Sequence, residues 1–140
     1  MPVPDETELT REQRLALTAA VAEFNRGQYF ECHETLEEVW ASLHGPCRDF
    51  FQGLIQISVG FHHLRQGNRA GALKTFTRAL GRLEFYPARY LGFDLSAERG
   101  RLQTLVSMLT GEGVAVPEKA PTWQFDDSPA AREVPAQTRS

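Results

Sequence analysis

The longest stretch of apolar character covers residues 47–66, which read CRDFFQGLIQISVGFHHLRQ. On a helix with about 100° between successive residues, its apolar positions cover more than half of the circumference. The remaining narrow stripe carries Gln52 and Gln56 and is edged by Gly53 and Gly60. An apolar sector of this width predicts a central helix that is buried against neighbours on several sides.

Helical spacing of apolar residues predicts four further helices around this one. Thr10 and Gln13 fit a capping box for the first helix, and Asn68 and Ser96 are suitable N-caps for later ones. No strand pattern is present, and the segment PARYLGFDL after the fourth helix is predicted to be a loop. The sequence therefore predicts an all-α fold, a compact bundle of about five antiparallel helices. The predicted helices cover residues 11–25, 28–43, 47–66, 69–85 and 96–110.

The end of the chain differs in composition from the helical part. From Gly111 onward four of the eight prolines appear, and no helical or strand period is present. Trp123 and Phe125 are the large apolar residues of this segment, so we expect them to hold part of it against the helices. The sequence thus predicts one helical domain at residues 1–110 and an irregular, partly docked tail at residues 111–140.

Two parts of the chain resemble each other when Gly27 is placed on Gly67. Cys32 then aligns with Ala72 as a small residue, and apolar positions follow at helical spacing in both copies. A helix, a glycine turn and a second helix with small residues at the crossing is typical of tetratricopeptide repeats. The spacing of 40 residues exceeds the repeat length of about 34 in that class. We therefore predict tetratricopeptide-like helical hairpins, an architectural similarity only.

Composition narrows the class of protein. With 140 residues and a net charge of -3, the chain is expected to be a single globular domain and not a general nucleic-acid binder. No apolar run reaches membrane-spanning length, and the acidic start lacks the basic and apolar regions of a signal peptide. Cys32 and Cys47 fall in different predicted helices, which favours free thiols in a reducing compartment. We expect a cytoplasmic protein that binds neither membranes nor nucleic acid.

Three blocks of the sequence resemble a known family. They are FNRGQYFECHETLEEVW, FFQGLIQISVGFHH and GNRAGALKTF, and the resemblance that they carry covers about residues 20 to 85. Their order and spacing are similar to domain-of-unknown-function family 309, a group of small helical prokaryotic proteins without an established biochemical function. The resemblance implies a compact helical bundle and a set of candidate polar positions, and it assigns no reaction. The implied positions are His33, Glu34, Glu37, Trp40, Gln52 and Gln56, with His62 near the end of the central helix.

The segment His33-Glu34-x-x-Glu37 is superficially similar to the zincin motif, but Glu37 replaces the second histidine. A histidine and a carboxylate four positions apart on one helix face can still share a metal ion. His62 could add a third ligand if the two helices pack antiparallel, although its place in the apolar sector favours a core position. Imidazole and carboxylate ligands suit zinc, iron or manganese. In this interpretation Glu34 would be the general base.

The alternative is that His33, Glu37, Gln52 and Gln56 form a hydrogen-bond network between the second and third helices. A buried polar group without a partner costs about 1–3 kcal/mol, and glutamine can donate and accept at once. Such a network would fix the register of the helices, or the same residues would line a ligand-binding cleft. Trp40 is expected in the core, where its indole N–H could orient a carboxylate.

Charged residues at helical spacing form one outer face of the fourth predicted helix. Lys74, Arg78 and Arg82 lie on one outer face, which is either solvated or meets Glu31 and Glu38 of a second chain.

Gly53 and Gly60, seven positions apart, predict close approach of another helix, from this chain or from a second copy. A homo-oligomer through this edge is therefore possible. A cysteine nucleophile has the least support, because Cys32 lies within an apolar seam and Cys47 has no histidine at helical spacing.

Two functions remain open from the sequence. The first is an interaction module that binds an unknown protein, peptide or small ligand at a polar site between the second and third helices, with no cofactor. The second is a small metal-dependent enzyme, such as a hydrolase, with His33, Glu37 and His62 around a divalent metal ion.

Overall fold

The computed structural model describes residues 9–111 and 121–126. Most of this part of the chain is helical, and one small antiparallel sheet of two short strands precedes the last helix. The predicted all-α fold is confirmed. The elements are α1 (Arg11–Asn25), α2 (Tyr29–Trp40), α3 (Pro46–Arg65), α4 (Arg69–Leu83), β1 (Arg89–Tyr90), β2 (Phe93–Asp94) and α5 (Leu95–Thr110).

The caps of the first and fourth helices are those that the sequence predicted. Thr10 Oγ1 accepts a hydrogen bond from the backbone N–H of Gln13 at 3.0 Å, and Gln13 Oε1 accepts from the N–H of Thr10 at 2.9 Å. Asn68 Oδ1 accepts from the N–H of Gly71 at 2.9 Å. These bonds satisfy N–H groups that have no partner inside the helix, so both helices begin where the sequence places them.

The start of α5 corrects the sequence prediction. Its N-cap is Asp94, which accepts a hydrogen bond from the N–H of Ala97 at 3.1 Å, and not Ser96. The segment predicted as a loop contains the strand pair β1–β2. Leu91 (φ 48°) and Gly92 (φ 87°) join the two strands, and two positive φ angles are typical of a tight hairpin turn. Strands of two residues are too short to show a period in the sequence.

The core is organised around α3, as its wide apolar sector predicted. Each helix packs against the next one in the chain, so α3 lies between α2 and α4. Phe50, Phe51, Leu54 and Ile57 of α3 have no exposed surface. Among the described helices, none is long and apolar enough to cross a membrane.

The glycines of α3 bring α4 close. A Cβ atom added to Gly53 would lie 3.1 Å from Cδ2 of Leu83, and one added to Gly60 would lie 2.7 Å from Cδ1 of Phe76. Both glycines are buried beneath α4 of the same chain. The predicted close approach is therefore made by a helix of the same chain, which is one of the two alternatives that the sequence left open.

The segment of residues 121–126 pairs with β2 and with the turn that precedes it. The N–H of Asp94 donates to the carbonyl of Gln124 at 3.1 Å, and the N–H of Asp126 donates to the carbonyl of Gly92 at 2.8 Å. This pairing extends the strand pair and places Trp123, which is 3% exposed, in the core.

Candidate functional site

The histidine and glutamate of α2 lie next to each other on its surface. His33 Nε2 is 3.5 Å from Glu37 Oε1, and the side chains are 19% and 58% exposed. The other ring nitrogen, Nδ1, lies 3.1 Å from the carbonyl oxygen of Phe30 in the preceding turn. Contacts at both nitrogens fix the orientation of the imidazole ring. The exposed Glu37 adds little stability, because surface ion pairs contribute about 0–1 kcal/mol.

Phe30 connects this pair to α3. Its ring centroid is 5.2 Å from that of His33 and 5.5 Å from that of His62 on α3. Phe30 itself is 47% exposed. His62, for which the sequence favoured a core position, is half-buried. The two helices thus present an exposed aromatic ring in contact with two imidazole rings.

The hydrogen bond that the structure shows for Gln56 of α3 is with α4, and not with His33 or Glu37 of α2. Gln56 Oε1 accepts a hydrogen bond from Nε of Arg82 on α4 at 3.1 Å, and Arg82 also pairs with Asp49. Gln52 is half-buried. The bonds that the structure shows for Gln56 are therefore on the α4 side of α3, and those of His33 are within α2.

Trp40 differs from its predicted role. Its side chain is half-buried against the core, and its indole N–H donates to the backbone carbonyl of Arg48 at 3.0 Å instead of to a carboxylate. The guanidinium of Arg48 lies 3.8 Å from the ring centroid, a cation–π contact. The pair Trp40–Arg48 therefore connects the end of α2 to the start of α3. Glu34, the general base of the metal hypothesis, is exposed.

The residues of the metal hypothesis do not form a ligand cluster in the described part of the chain. In residues 9–111 and 121–126, no group of three or more His, Cys, Asp or Glu side chains could hold a metal ion. His33 and Glu37 are close, and His62 contacts the ring of Phe30, which in turn contacts His33.

The cysteines are free, as predicted, and both are buried. Burial raises the pKa of the Cys32 thiol to about 12, although a hydrogen bond with Ser58 opposes that shift. Cys47 Sγ donates to the carbonyl of His44 at 3.1 Å. Because the thiolate is the nucleophile, the Cys32 thiol, with a pKa of about 12, is inert near neutral pH.

A buried charged group was missed by the sequence analysis. Glu98 of α5 is 5% exposed, and its Oε2 accepts a hydrogen bond from the indole N–H of Trp123 at 3.2 Å. Its Oε1 pairs with Arg101. Burial raises the pKa of Glu98, while Arg101 and the indole N–H oppose that shift. The sequence contained a signal for this burial, because Glu98 has helical spacing with Leu102 on the inward face of α5.

Part of the chain matches a known protein family. Residues 17–75 match the family model of the Domain of unknown function (DUF309). This match confirms the resemblance stated from the sequence. The DUF309 segment runs from α1 into α4, so it includes Phe30, His33 and His62, whereas Glu98 and Trp123 lie outside it.

Two curated relatives have no assigned activity. The chain is 27% identical over 99 residues to an uncharacterized protein of Aquifex aeolicus (strain VF5), a match that covers 70% of this chain and 29% of that protein. It is 36% identical over 80 residues to the uncharacterized protein YpuF of Bacillus subtilis (strain 168), which covers 56% of this chain and 44% of YpuF. The chain thus spans less than half of the length of either relative.

Proposed function

We propose that the protein is a helical interaction module that binds a protein or peptide segment. The binding site is the α2–α3 surface, which we define as Phe30, His33, Glu37 and His62. The observation that carries this proposal is the exposed ring of Phe30 in contact with both imidazole rings. Aromatic residues of this kind are frequent anchors of protein interfaces, where they are buried on binding.

The chemistry of the surface favours a mixed partner segment. Phe30 offers an apolar contact, and the imidazoles offer ring faces and nitrogen atoms at its edge. Glu37 is more than half exposed and accepts hydrogen bonds. The complementary surface therefore offers an open site for the aromatic ring beside a basic or hydrogen-bond-donating group.

The helical architecture supports the same function. The α1–α2 and α3–α4 turns each contain a glycine with positive φ, Gly27 (79°) and Gly67 (78°). Successive helices that pack only against neighbours leave extended faces open, and tetratricopeptide-like proteins bind peptides on such faces. We include this tetratricopeptide-like character, and a cytoplasmic location, in the proposal.

The test is site-specific photocrosslinking. Phe30 is replaced by a photoreactive phenylalanine analogue in cells that naturally make the protein, and adducts are identified by mass spectrometry after irradiation. The same analogue at Leu15, an apolar residue of α1 that is 57% exposed, is the matched control. We expect a discrete adduct from position 30 and none from position 15.

Binding of the identified partner is then measured with purified proteins. Phe30→Ala is expected to weaken binding by about 30-fold, the effect of a hot-spot residue worth about 2 kcal/mol. Leu15→Ala should leave the affinity unchanged. Equal labelling from both positions, or full affinity after Phe30→Ala, would refute the proposed site.

A further inference from the structure

The outward side of α2 combines negative charge with the exposed aromatic ring. Phe30, Glu31, Glu34 and Glu38 are all exposed. Helical spacing places Phe30, Glu34 and Glu38 along one side of the helix. Among the described residues, none of the three glutamates forms an ion pair. We name these four residues the α2 acidic face.

The outward side of α4 has the opposite charge. Lys74, Arg78 and Gly81 are exposed, and Phe85, just beyond the helix, is 52% exposed. Lys74 and Arg78 form no ion pair within the described part of the chain, whereas Arg82 of the predicted basic line is engaged by α3. We name Lys74, Arg78 and Gly81 the α4 basic face.

Gly81 leaves an open, flat site on this face. A Cβ atom added there would meet nothing within 4 Å, so packing inside the described part of the chain does not require a glycine at this position. A glycine in an exposed helix lowers stability relative to alanine. Gly100 of α5 is equally open, so an open glycine does not by itself indicate a contact. The position of Gly81 beside Arg78 matters, because a flat site next to a cation accepts an aromatic ring.

The two faces match in antiparallel register. From Phe30, the residues Glu34 and Glu38 lie about 6 and 12 Å further along the helix axis, at 1.5 Å per residue. From Gly81 in the reverse direction, Arg78 and Lys74 lie about 4.5 and 10.5 Å away. With Phe30 over Gly81, each glutamate is thus opposite one cation.

We propose that the α2 acidic face of one copy docks on the α4 basic face of a second copy. The inference rests on the proposed function, because it supplies the partner for Phe30. We infer that each contact uses the α2 acidic face of one copy and the α4 basic face of the next, which makes the contact head-to-tail and continues it into a ring or an open chain of copies. Complementary charges also make the association sensitive to salt.

The experiment measures the mass of the full chain by sedimentation velocity at increasing concentration, in low and in high salt. We expect wild-type protein to form species larger than a dimer in low salt and to dissociate in high salt. Phe30→Ser disables the α2 acidic face, and Arg78→Glu disables the α4 basic face. Each variant alone should be monomeric.

An equimolar mixture of the two variants gives the decisive result. Each variant keeps one intact face, so the mixture should form a dimer and nothing larger. Arg89→Glu, which changes the same charge at an exposed residue of β1, should associate like the wild type. Circular dichroism confirms that each variant is folded.

Three results would overturn the inference. They are a wild type that is monomeric throughout, a mixture that stays monomeric, and an Arg78→Glu variant that still dimerises alone, since that requires a symmetric contact without α4. If the wild type is monomeric while photocrosslinking at Phe30 captures a different protein, this inference fails and the proposed function stands. If position 30 captures nothing and the chain is monomeric, both fail.

Discussion

The indole ring of Trp123 is stacked on the phenyl ring of Phe24, with ring centroids 3.8 Å apart and an angle of 3° between the planes. The two residues are separated by 99 positions in the sequence. The backbone N–H of Trp123 also donates to Oδ1 of Asn25 at 2.7 Å. One residue near the end of the chain therefore contacts the last turn of the first helix and, through its indole N–H, Glu98 of the last helix.

The first prediction concerns this link. Trp123→Ala removes a side chain that is almost fully buried, and it leaves Glu98 without one of its hydrogen bonds. We expect the free energy of unfolding to fall by about 3–5 kcal/mol, the usual cost of such a truncation in a core. Urea denaturation followed by circular dichroism measures the change.

The neighbouring Thr122 provides the control for this prediction. Thr122 is exposed, so Thr122→Ala should change the free energy of unfolding by less than about 0.5 kcal/mol. A loss below about 1 kcal/mol for Trp123→Ala would show that the segment is not needed for stability.

The second prediction follows from the raised pKa of Glu98. Its pKa in the unfolded chain is about 4.3, so between that value and the folded pKa only the folded state keeps the proton. Stability contributed by Glu98 is therefore largest below the unfolded pKa and decreases as the pH rises through the folded pKa. Glu98→Gln cannot titrate and should lack this dependence.

The measurement is the free energy of unfolding of wild type and Glu98→Gln across the pH range. The difference, wild type minus variant, cancels most other titrating groups. It should decrease as the pH rises above about 4 and become constant above the folded pKa. A difference that increases with pH would mean that Arg101 outweighs burial and that the pKa is lowered.

Periodicity predicted the helices well because helix formation depends on local spacing. Thr10 and Gln13 set the start of α1, and the width of the apolar sector of α3 indicated burial on several sides. Both features depend on residues within a few turns of one another. Local patterns of this kind are present in the sequence itself.

The candidate site was less predictable, because a helical wheel does not say which neighbour faces each stripe. Gln56 was expected near His33, yet its hydrogen bond is with Arg82, a residue 26 positions later. Phe30 was not among the residues that the sequence singled out. Its contact with His62 depends on how α2 and α3 cross, which no local pattern records.

The third prediction concerns the accessibility of Cys32. With a pKa of about 12, roughly one thiol in ten thousand is ionised at pH 8, and the side chain has no exposed surface. We expect native protein to resist iodoacetamide at both cysteines, and protein in denaturant to react at both. Mass spectrometry with peptide mapping measures the labelling. Rapid labelling of Cys32 in the native protein would contradict its buried position between α2 and α3.

The last prediction compares two glycines that differ in their surroundings. Gly60→Ala places a methyl group against the ring of Phe76, and crowding in a packed core costs about 1–3 kcal/mol. Gly100→Ala adds the same methyl group to α5, where nothing lies within 4 Å. Because alanine favours a helix over glycine, that variant should be more stable by about 0.5–1 kcal/mol.

Urea denaturation of both variants measures these opposite changes. A methyl group has the same helix preference at both positions, so the difference between the variants isolates the effect of packing. We expect Gly60→Ala to be less stable than the wild type despite that preference. If Gly60→Ala is as stable as Gly100→Ala, α4 does not lie against α3 at this glycine, and the edge is open to a second chain.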